Sequence, residues 1–290
     1  MNLNKGIILA GGTGSRLFPV SSVINKHFLP IYNKPMIYYP LSILMLLGIR
    51  DILIICNEKD LNSFKSLLGD GSNFGISISF KIQDSPKGIS EAFLIGKEFI
   101  SEDNVALILG DNFFYGNNLY QVVEKAVKNN KGATIFGYDV QDPERFGVIE
   151  YDQKGQVKKL TEKPKNPISN QVATGLYIYK SDVVNLVKKL SPSSRGELEI
   201  TDLNKLYLKE GRLSAVTLNR GFVWFDVGTF DAFNDASNFI QNIEDKQKFK
   251  IACLEEISFN HGWLDKDTIL KNSQKIKGSD YHSYLENILR

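Results

Sequence analysis

The chain has 290 residues, 42% hydrophobic and 23% charged, enough to bury a core in one large domain or two small ones, and collagen, coiled coil and disorder are excluded. Lys and Arg number 35 against 33 Asp and Glu, a formal charge of +2, too balanced for binding driven by neutralising a nucleic acid or an anionic membrane. Cys56 and Cys253 lie far apart in a chain that needs no staple at this size, so both are expected reduced, in a cytoplasmic protein.

The opening residues MNLNKGIILAGG lack the apolar run and small-residue cleavage site of a signal peptide. A first strand is predicted over 6–10. The greasy stretch 36–49 is interrupted by Pro40 and falls short of the roughly 20 residues that cross a bilayer, so it reads as a buried core helix over 36–47. A strand at 52–55, a helix at 61–68, a strand at 76–82, a helix at 89–100, a strand at 105–109 and a helix at 119–127 follow. The strands around Ile7, Ile52 and Val105 are almost continuously apolar, as in a parallel sheet covered by helices on both faces. A doubly wound α/β core results, mixed but mostly parallel. From Ala133 the strands crowd together (133–138, 148–151, 157–160, 176–179), which predicts inserted antiparallel pairing. A helix over 198–209, strands at 213–218 and 223–226, and an amphipathic helix over 231–243 return to the first pattern. The organisation expected is a principal domain over 1–245 and an appended C-terminal segment over 246–290, packing on the core or on a neighbouring subunit.

The first strand ends in Ala10-Gly11-Gly12-Thr13-Gly14-Ser15-Arg16. Glycines at the carboxyl edge of a parallel strand let backbone N–H groups approach an anion, and Arg16 adds a fork of donors for phosphate oxygens. The loop matches neither G-x-G-x-x-G, because Leu17 takes the last glycine position, nor the P-loop pattern, so dehydrogenase and P-loop readings both fail. A tight, glycine-rich βα turn with no ligand is the plain alternative.

The continuation, Arg16-Leu17-Phe18-Pro19, Asn25-Lys26-His27-Phe28-Leu29-Pro30 and Lys34-Pro35-Met36-Ile37, resembles the sugar nucleotidyltransferases. Further segments in order resemble the glucose-1-phosphate thymidylyltransferases within that family: Leu68-Gly69-Asp70-Gly71-Ser72, Gln83-Asp84-Ser85-Pro86-Lys87-Gly88, Leu109-Gly110-Asp111-Asn112-Phe113-Phe114-Tyr115-Gly116, Asp142-Pro143-Glu144-Arg145-Phe146-Gly147-Val148, Glu162-Lys163-Pro164, Thr174-Gly175-Leu176-Tyr177 and Arg195-Gly196-Glu197-Leu198-Glu199-Ile200-Thr201-Asp202. The resemblance runs from Lys5 to about Ile257 and makes residues 1–245 a nucleotidyltransferase catalytic domain of Rossmann-like kind. It departs from the usual pattern at His27, Asn117 and Val227, and at Ile89-Ser90-Glu91-Ala92.

By this resemblance Arg16 and Lys26 bind the nucleotide phosphates, with Gly11, Gly12 and Gly14 beneath them, and Gln83 and Gly88 meet the nucleobase. The Gln83 amide donates and accepts side by side, which suits the imide edge of thymine or uracil. Glu162 is expected on sugar hydroxyls, Lys163 on the sugar phosphate, Gly147 and Tyr177 along the hexose, and Arg195 as a second cation. Asp111 and Asp226 each close an apolar strand, and two hard oxygen ligands there would suit one Mg²⁺, with turn or cap carboxylates as the plain alternative. The implied reaction joins dTTP and glucose 1-phosphate, opening a route to dTDP-rhamnose and other deoxysugars, without nucleic acid or membrane as partner. A uridylyltransferase and a non-catalytic nucleotide-sugar-binding regulator are the alternatives. The resemblance further implies a homotetramer with an effector site at Tyr115, Gly116, Arg220 and Glu256. His261 and His282 read as surface residues, and Phe28, Phe113, Phe114 and the aromatics around Trp224 as core.

Overall fold

The computed structural model describes residues 3–289. The chain begins with β1 (Lys5–Ala10), a short hairpin of β2 (Pro30–Ile31) and β3 (Lys34–Pro35), α1 (Tyr38–Leu46), β4 (Asp51–Cys56), α2 (Leu61–Leu68) and β5 (Ser77–Ile82). It continues through α3 (Glu91–Ile95), α4 (Lys97–Ile100), β6 (Val105–Leu109), β7 (Asn112–Gly116) and α5 (Leu119–Lys128). The second half holds β8 (Ala133–Asp139), β9 (Gly147–Tyr151), β10 (Val157–Glu162), β11 (Gln171–Tyr179), α6 (Val183–Val187), α7 (Ile200–Lys209), β12 (Leu213–Thr217) and β13 (Phe222–Asp226). Four helices close it: α8 (Phe230–Gln247), α9 (Leu254–Asn260), α10 (Lys266–Asn272) and α11 (Asp280–Ile288).

A nine-stranded sheet runs β10-β9-β11-β6-β1-β4-β5, with β8 pairing β11 and carrying β12. From β6 to β5 every pair is parallel, and β8–β12 is parallel too, whereas β11 runs antiparallel to β6, β8 and β9. The mixed α/β sheet with inserted antiparallel strands agrees with the reading of the sequence. Successive side chains of a strand face opposite ways. Hence Ile7, Leu53 and Leu107 pack with Ala92 and Phe93 of α3 on one face, while Ile8, Ile54 and Ile108 pack with Leu41 and Leu44 of α1 on the other. Each such fully buried aliphatic side chain contributes about 1.5–3 kcal/mol. The in-register pairs Leu9↔Ile55 and Leu9↔Leu109 bring the carboxyl ends of β1, β4 and β6 to one edge.

Several local expectations are corrected. Pro40 does not interrupt its helix, because it is the third residue of α1, where the missing N–H has no intrahelical acceptor to lose. The helix expected over 89–100 is two short helices divided at Gly96, the residue type least able to hold a helical backbone apart from proline. β7 pairs with β13 in a separate antiparallel ribbon, outside the main sheet. His282 is 3% exposed, not a surface residue: its Nδ1 contacts Ser273 Oγ at 3.0 Å. No correction falls on the C-terminal segment: α8 runs through position 245, and Leu254 and Ile257 of α9 pack in the main core against α1. Cys56 and Cys253 are buried free thiols. Among the described residues no helix is long and apolar enough to cross a membrane.

Candidate active site

The carboxyl edge of β1 opens into the glycine loop. Gly14 has φ +65°, and a Cβ there would lie 3.1 Å from Ser21 Cβ, so only glycine makes the turn without strain. Behind the loop, Asn25 caps a helical turn over Lys26–Phe28 by accepting the His27 N–H. The Asn25 Nδ2 donates to Asp60 Oδ2 at 2.7 Å, so its Oδ1 is the acceptor facing His27 Nδ1, also at 2.7 Å. Burial, with Lys26 beside it, lowers the His27 pKa to about 3. His27 is therefore neutral, with its proton on Nδ1.

The turn aims Lys26 at Asp111, and Nζ and Oδ2 form an ion pair. Burial alone would push the Asp111 carboxyl up, but the charge and hydrogen bond of Lys26, together with His27 and the Asn112 hydrogen bond, outweigh it and hold it down to about 2. Asp226 stands at the end of β13, opposite Asn112 at the start of β7, and the Val227 N–H donates to the Asp111 carbonyl at 2.9 Å. Burial first, and the Asp111 charge second, push the Asp226 carboxyl up to about 6. Arg16 at 3.8 Å and Arg145 at 3.7 Å partly offset this. Asn112 fixes the ribbon, because its Oδ1 accepts from Trp224 Nε1 at 2.6 Å and from the Gly175 N–H at 3.0 Å.

Arg16, Asp111 and Asp226 face a cavity of about 730 Å³ that Gly147, Glu162, Lys163 and Tyr177 also line. On its wall Glu162 Oε2 accepts from Thr201 Oγ1 at 2.5 Å and Oε1 from Arg195 Nη2 at 3.2 Å. Lys163 has φ +41°, a region that non-glycine residues occupy only under constraint, and its N–H is held by the Phe146 carbonyl at 2.9 Å. Arg195 is not on the wall of this cavity. It is clamped by Glu199 at 3.1 and 2.8 Å and borders an adjoining recess of about 410 Å³ that shares Glu162 and Lys163.

Lys26, Gly11, Gly12, Gly14, Gln83 and Gly88 lie outside the walls of the main cavity, all but Gly88 around the end of β1. The Gln83 Oε1 stands 2.8 Å from where a Cβ on Gly11 would be, and its Nε2 donates to Glu91 Oε2 at 2.8 Å. Gly88 has φ +100° and presses so close to Leu198 that a Cβ would meet its carbonyl oxygen at 2.5 Å. Arg145, Thr174, Thr201 and Trp224 line the main cavity without having been singled out from sequence. Arg145 lay within a motif already read, and its signal was a lone cation at the entry to a strand. Trp224 serves core and cavity wall at once. Tyr115, Gly116 and Glu256 line a second cavity of about 260 Å³, whereas Arg220 is exposed and absent from its wall.

The residues fit a divalent cation at one place: Asp111 and Asp226 supply two hard oxygen donors to one cavity, and two carboxylates with water suffice for Mg²⁺. No cluster of three or more His, Cys, Asp or Glu suited to a metal exists among the described residues.

The profile of the nucleotidyl transferase family matches residues 5–243. A glucose-1-phosphate thymidylyltransferase of Neisseria meningitidis is 50% identical over 286 residues, 99% of either chain. One of Mycobacterium tuberculosis is 44% identical, covering 98% of this chain and 99% of that one. Among solved structures, a Bacillus anthracis protein described as a glucose-1-phosphate thymidylyltransferase in complex with sucrose superposes with a TM-score of 0.76 at 41% identity, over 81% of this chain and 94% of that one. A UDP-glucose pyrophosphorylase complexed with UDP-glucose gives 0.72 at 25% identity, over 83% and 99%. With its glycine-loop turn, paired carboxylates and relatives along nearly its whole length, the chain belongs to the nucleotidyl transferase family, among the glucose-1-phosphate thymidylyltransferases.

Proposed function

We propose that the chain transfers a thymidylyl group from dTTP to glucose 1-phosphate, giving dTDP-glucose and pyrophosphate. The observation that carries this is that Arg16, Asp111 and Asp226 line one cavity together with Glu162 and Lys163. A sugar-phosphate oxygen attacks the α-phosphorus in line, a new P–O bond forms, the α–β bridge breaks and pyrophosphate leaves. The sugar phosphate, with a second pKa near 6, is already a dianion at neutral pH. The protein therefore supplies no general base. Its task is to align two polyanions and cancel their repulsion.

Arg16 and Lys26 are assigned to the triphosphate over Gly11, Gly12 and Gly14, and Gln83 and Gly88 to the base. Glu162, Gly147 and Tyr177 are assigned to the hexose, and Lys163 to its phosphate. Arg195, saturated by Glu199 and Glu162, acts more by holding Glu162 than by reaching the phosphate itself. Lys26 pairs with Asp111 while Arg16 and Arg145 attend Asp226, and phosphates bound there compete for the same cations. Asp111 and Asp226 would hold Mg²⁺, which supplies charge neutralisation at the phosphates.

The second cavity is assigned to an effector, a downstream dTDP-sugar. β7 supports this, because Asn112 lines the first cavity and Tyr115 and Gly116 line the second, a separation of about 10–13 Å along one strand. Self-association to a homotetramer is part of the proposal and is checked by sedimentation. Rates unchanged by saturating dTDP-rhamnose remove the effector assignment.

The deciding measurement is pyrophosphate release from dTTP and glucose 1-phosphate, with UTP and other sugar 1-phosphates alongside. Lys163→Ala is expected to raise the KM for glucose 1-phosphate about tenfold or more, the scale of one charge-assisted contact, with dTTP binding little altered. Equal damage to both substrates contradicts the assignment.

A further inference from the structure

The two ends of the Gln83 amide differ chemically, and the structure fixes which end faces where. Nε2 lies 2.8 Å from Glu91 Oε2, in the first turn of α3, while Oε1 lies on the Gly11 side. The residue is 4% exposed, and its backbone N–H is bound to the Cys56 carbonyl at 2.9 Å. A carboxylate only accepts hydrogen bonds. Turning the amide over would set its carbonyl oxygen against the Glu91 carboxylate, two acceptors at hydrogen-bonding range with no proton between them. The backbone just before Glu91 is tied to a neighbouring segment. The Leu198 N–H donates to the Lys87 carbonyl at 2.7 Å and the Ser90 N–H to the Leu198 carbonyl at 3.1 Å, which clamps the loop leading into α3.

We infer that Glu91 is a positioning residue that sets nucleobase choice: by holding Gln83 Nε2 it makes Gln83 present an acceptor, which selects a pyrimidine carrying a proton on N3. This rests on the assignment of Gln83 to the base. Thymine and uracil satisfy it, since N3–H donates to Oε1 and the remaining Nε2 hydrogen serves a ring carbonyl. Cytosine held in the same place fails, since its N3 is an acceptor and meets Oε1 with no proton to share, and its 4-amino group reaches Oε1 only if the base shifts one position along the amide. The device is blind to the thymine methyl, so it separates dTTP from dCTP and leaves dTTP against UTP to other contacts.

The test is kcat/KM for dTTP and for dCTP, with glucose 1-phosphate, in the full chain and in Glu91→Gln, Glu91→Leu and Gln83→Leu. A glutamine at 91 is nearly isosteric and can donate to a reversed Gln83, and a leucine leaves that amide free to turn. Both Glu91 variants are expected to cut the dTTP-to-dCTP ratio about tenfold or more, the size of one buried hydrogen-bond conflict, through KM rather than kcat. If Glu91→Leu does not fold, Glu91→Gln alone decides. A general loosening of the site would weaken both nucleotides alike and leave the ratio standing, which overturns the inference. If the Glu91 variants keep the ratio while Gln83→Leu loses it, the inference fails and the base assignment survives. If Gln83→Leu also keeps it, the base assignment falls and this inference with it.

Discussion

Two buried carboxylates that share a cavity titrate apart: burial and the charge of Asp111 raise Asp226 to about 6, while Lys26 holds Asp111 down to about 2. Asp226→Asn is expected to lower kcat about a hundredfold or more, the scale of one electrostatic group at a transferring phosphate. It should also weaken Mg²⁺ binding in calorimetry, and unchanged Mg²⁺ affinity contradicts the ligand assignment. His27 gives a stability prediction with a definite sign. Its pKa falls from 6.5 unfolded to about 3 folded, so its contribution is complete above pH 6.5 and drains away as pH drops toward 3. The slope reaches about 1.4 kcal/mol per pH unit. Chemical denaturation of His27→Gln between pH 4 and 7 should show that slope removed.

At the scale of elements, one buried ion pair joins the β2–β3 hairpin to α8. Lys34 Nζ meets Glu244 Oε1 at 2.9 Å, and the same carboxylate accepts from Asn33 Nδ2 at 2.7 Å and from the Ile251 N–H at 2.9 Å. Both charges are under a tenth exposed, so Glu244→Ala strands a buried ammonium and is expected to cost about 3–5 kcal/mol. Pairing Glu244→Leu with Lys34→Met should recover most of that loss in thermal melts. Long apolar runs such as Ile52–Ile55 announced their strands because both faces are covered. β7 was hidden because Asn112-Phe113-Phe114-Tyr115-Gly116 has no alternation and pairs outside the main sheet. α6, five residues long, is too short to carry a helical period. The glycine-loop residues and Asp111 were legible because each follows a strand of the main sheet, and Asp226 because it ends an apolar run, although that run pairs in the separate ribbon. Arg145 was not, since its place beside Asp226 depends on how the turn after β8 folds back, which no spacing encodes.

For the whole molecule, α8 runs across position 245 and the segment beyond it packs on the core. Leu254 is fully buried against α1, and Ile257 is 8% exposed beside it. Truncation after Gln247 uncovers this face, and losing two such side chains costs about 3–6 kcal/mol, comparable with the stability of an ordinary domain. The truncated chain is expected in the insoluble fraction, and a soluble, active fragment contradicts this. The near-balance of the chain is repeated at the cavity wall, where Arg16, Arg145 and Lys163 stand among Asp111, Glu162, Glu197 and Asp226.

The gap between the two acids is inherited from a ribbon of five rungs, not from the nine-stranded sheet. A slip by one rung would turn Asp226 to the opposite side, so a single inserted residue in that ribbon should silence the enzyme and spare its architecture. Remodelling the distant margin around β5, by contrast, would leave the pincer at its original width.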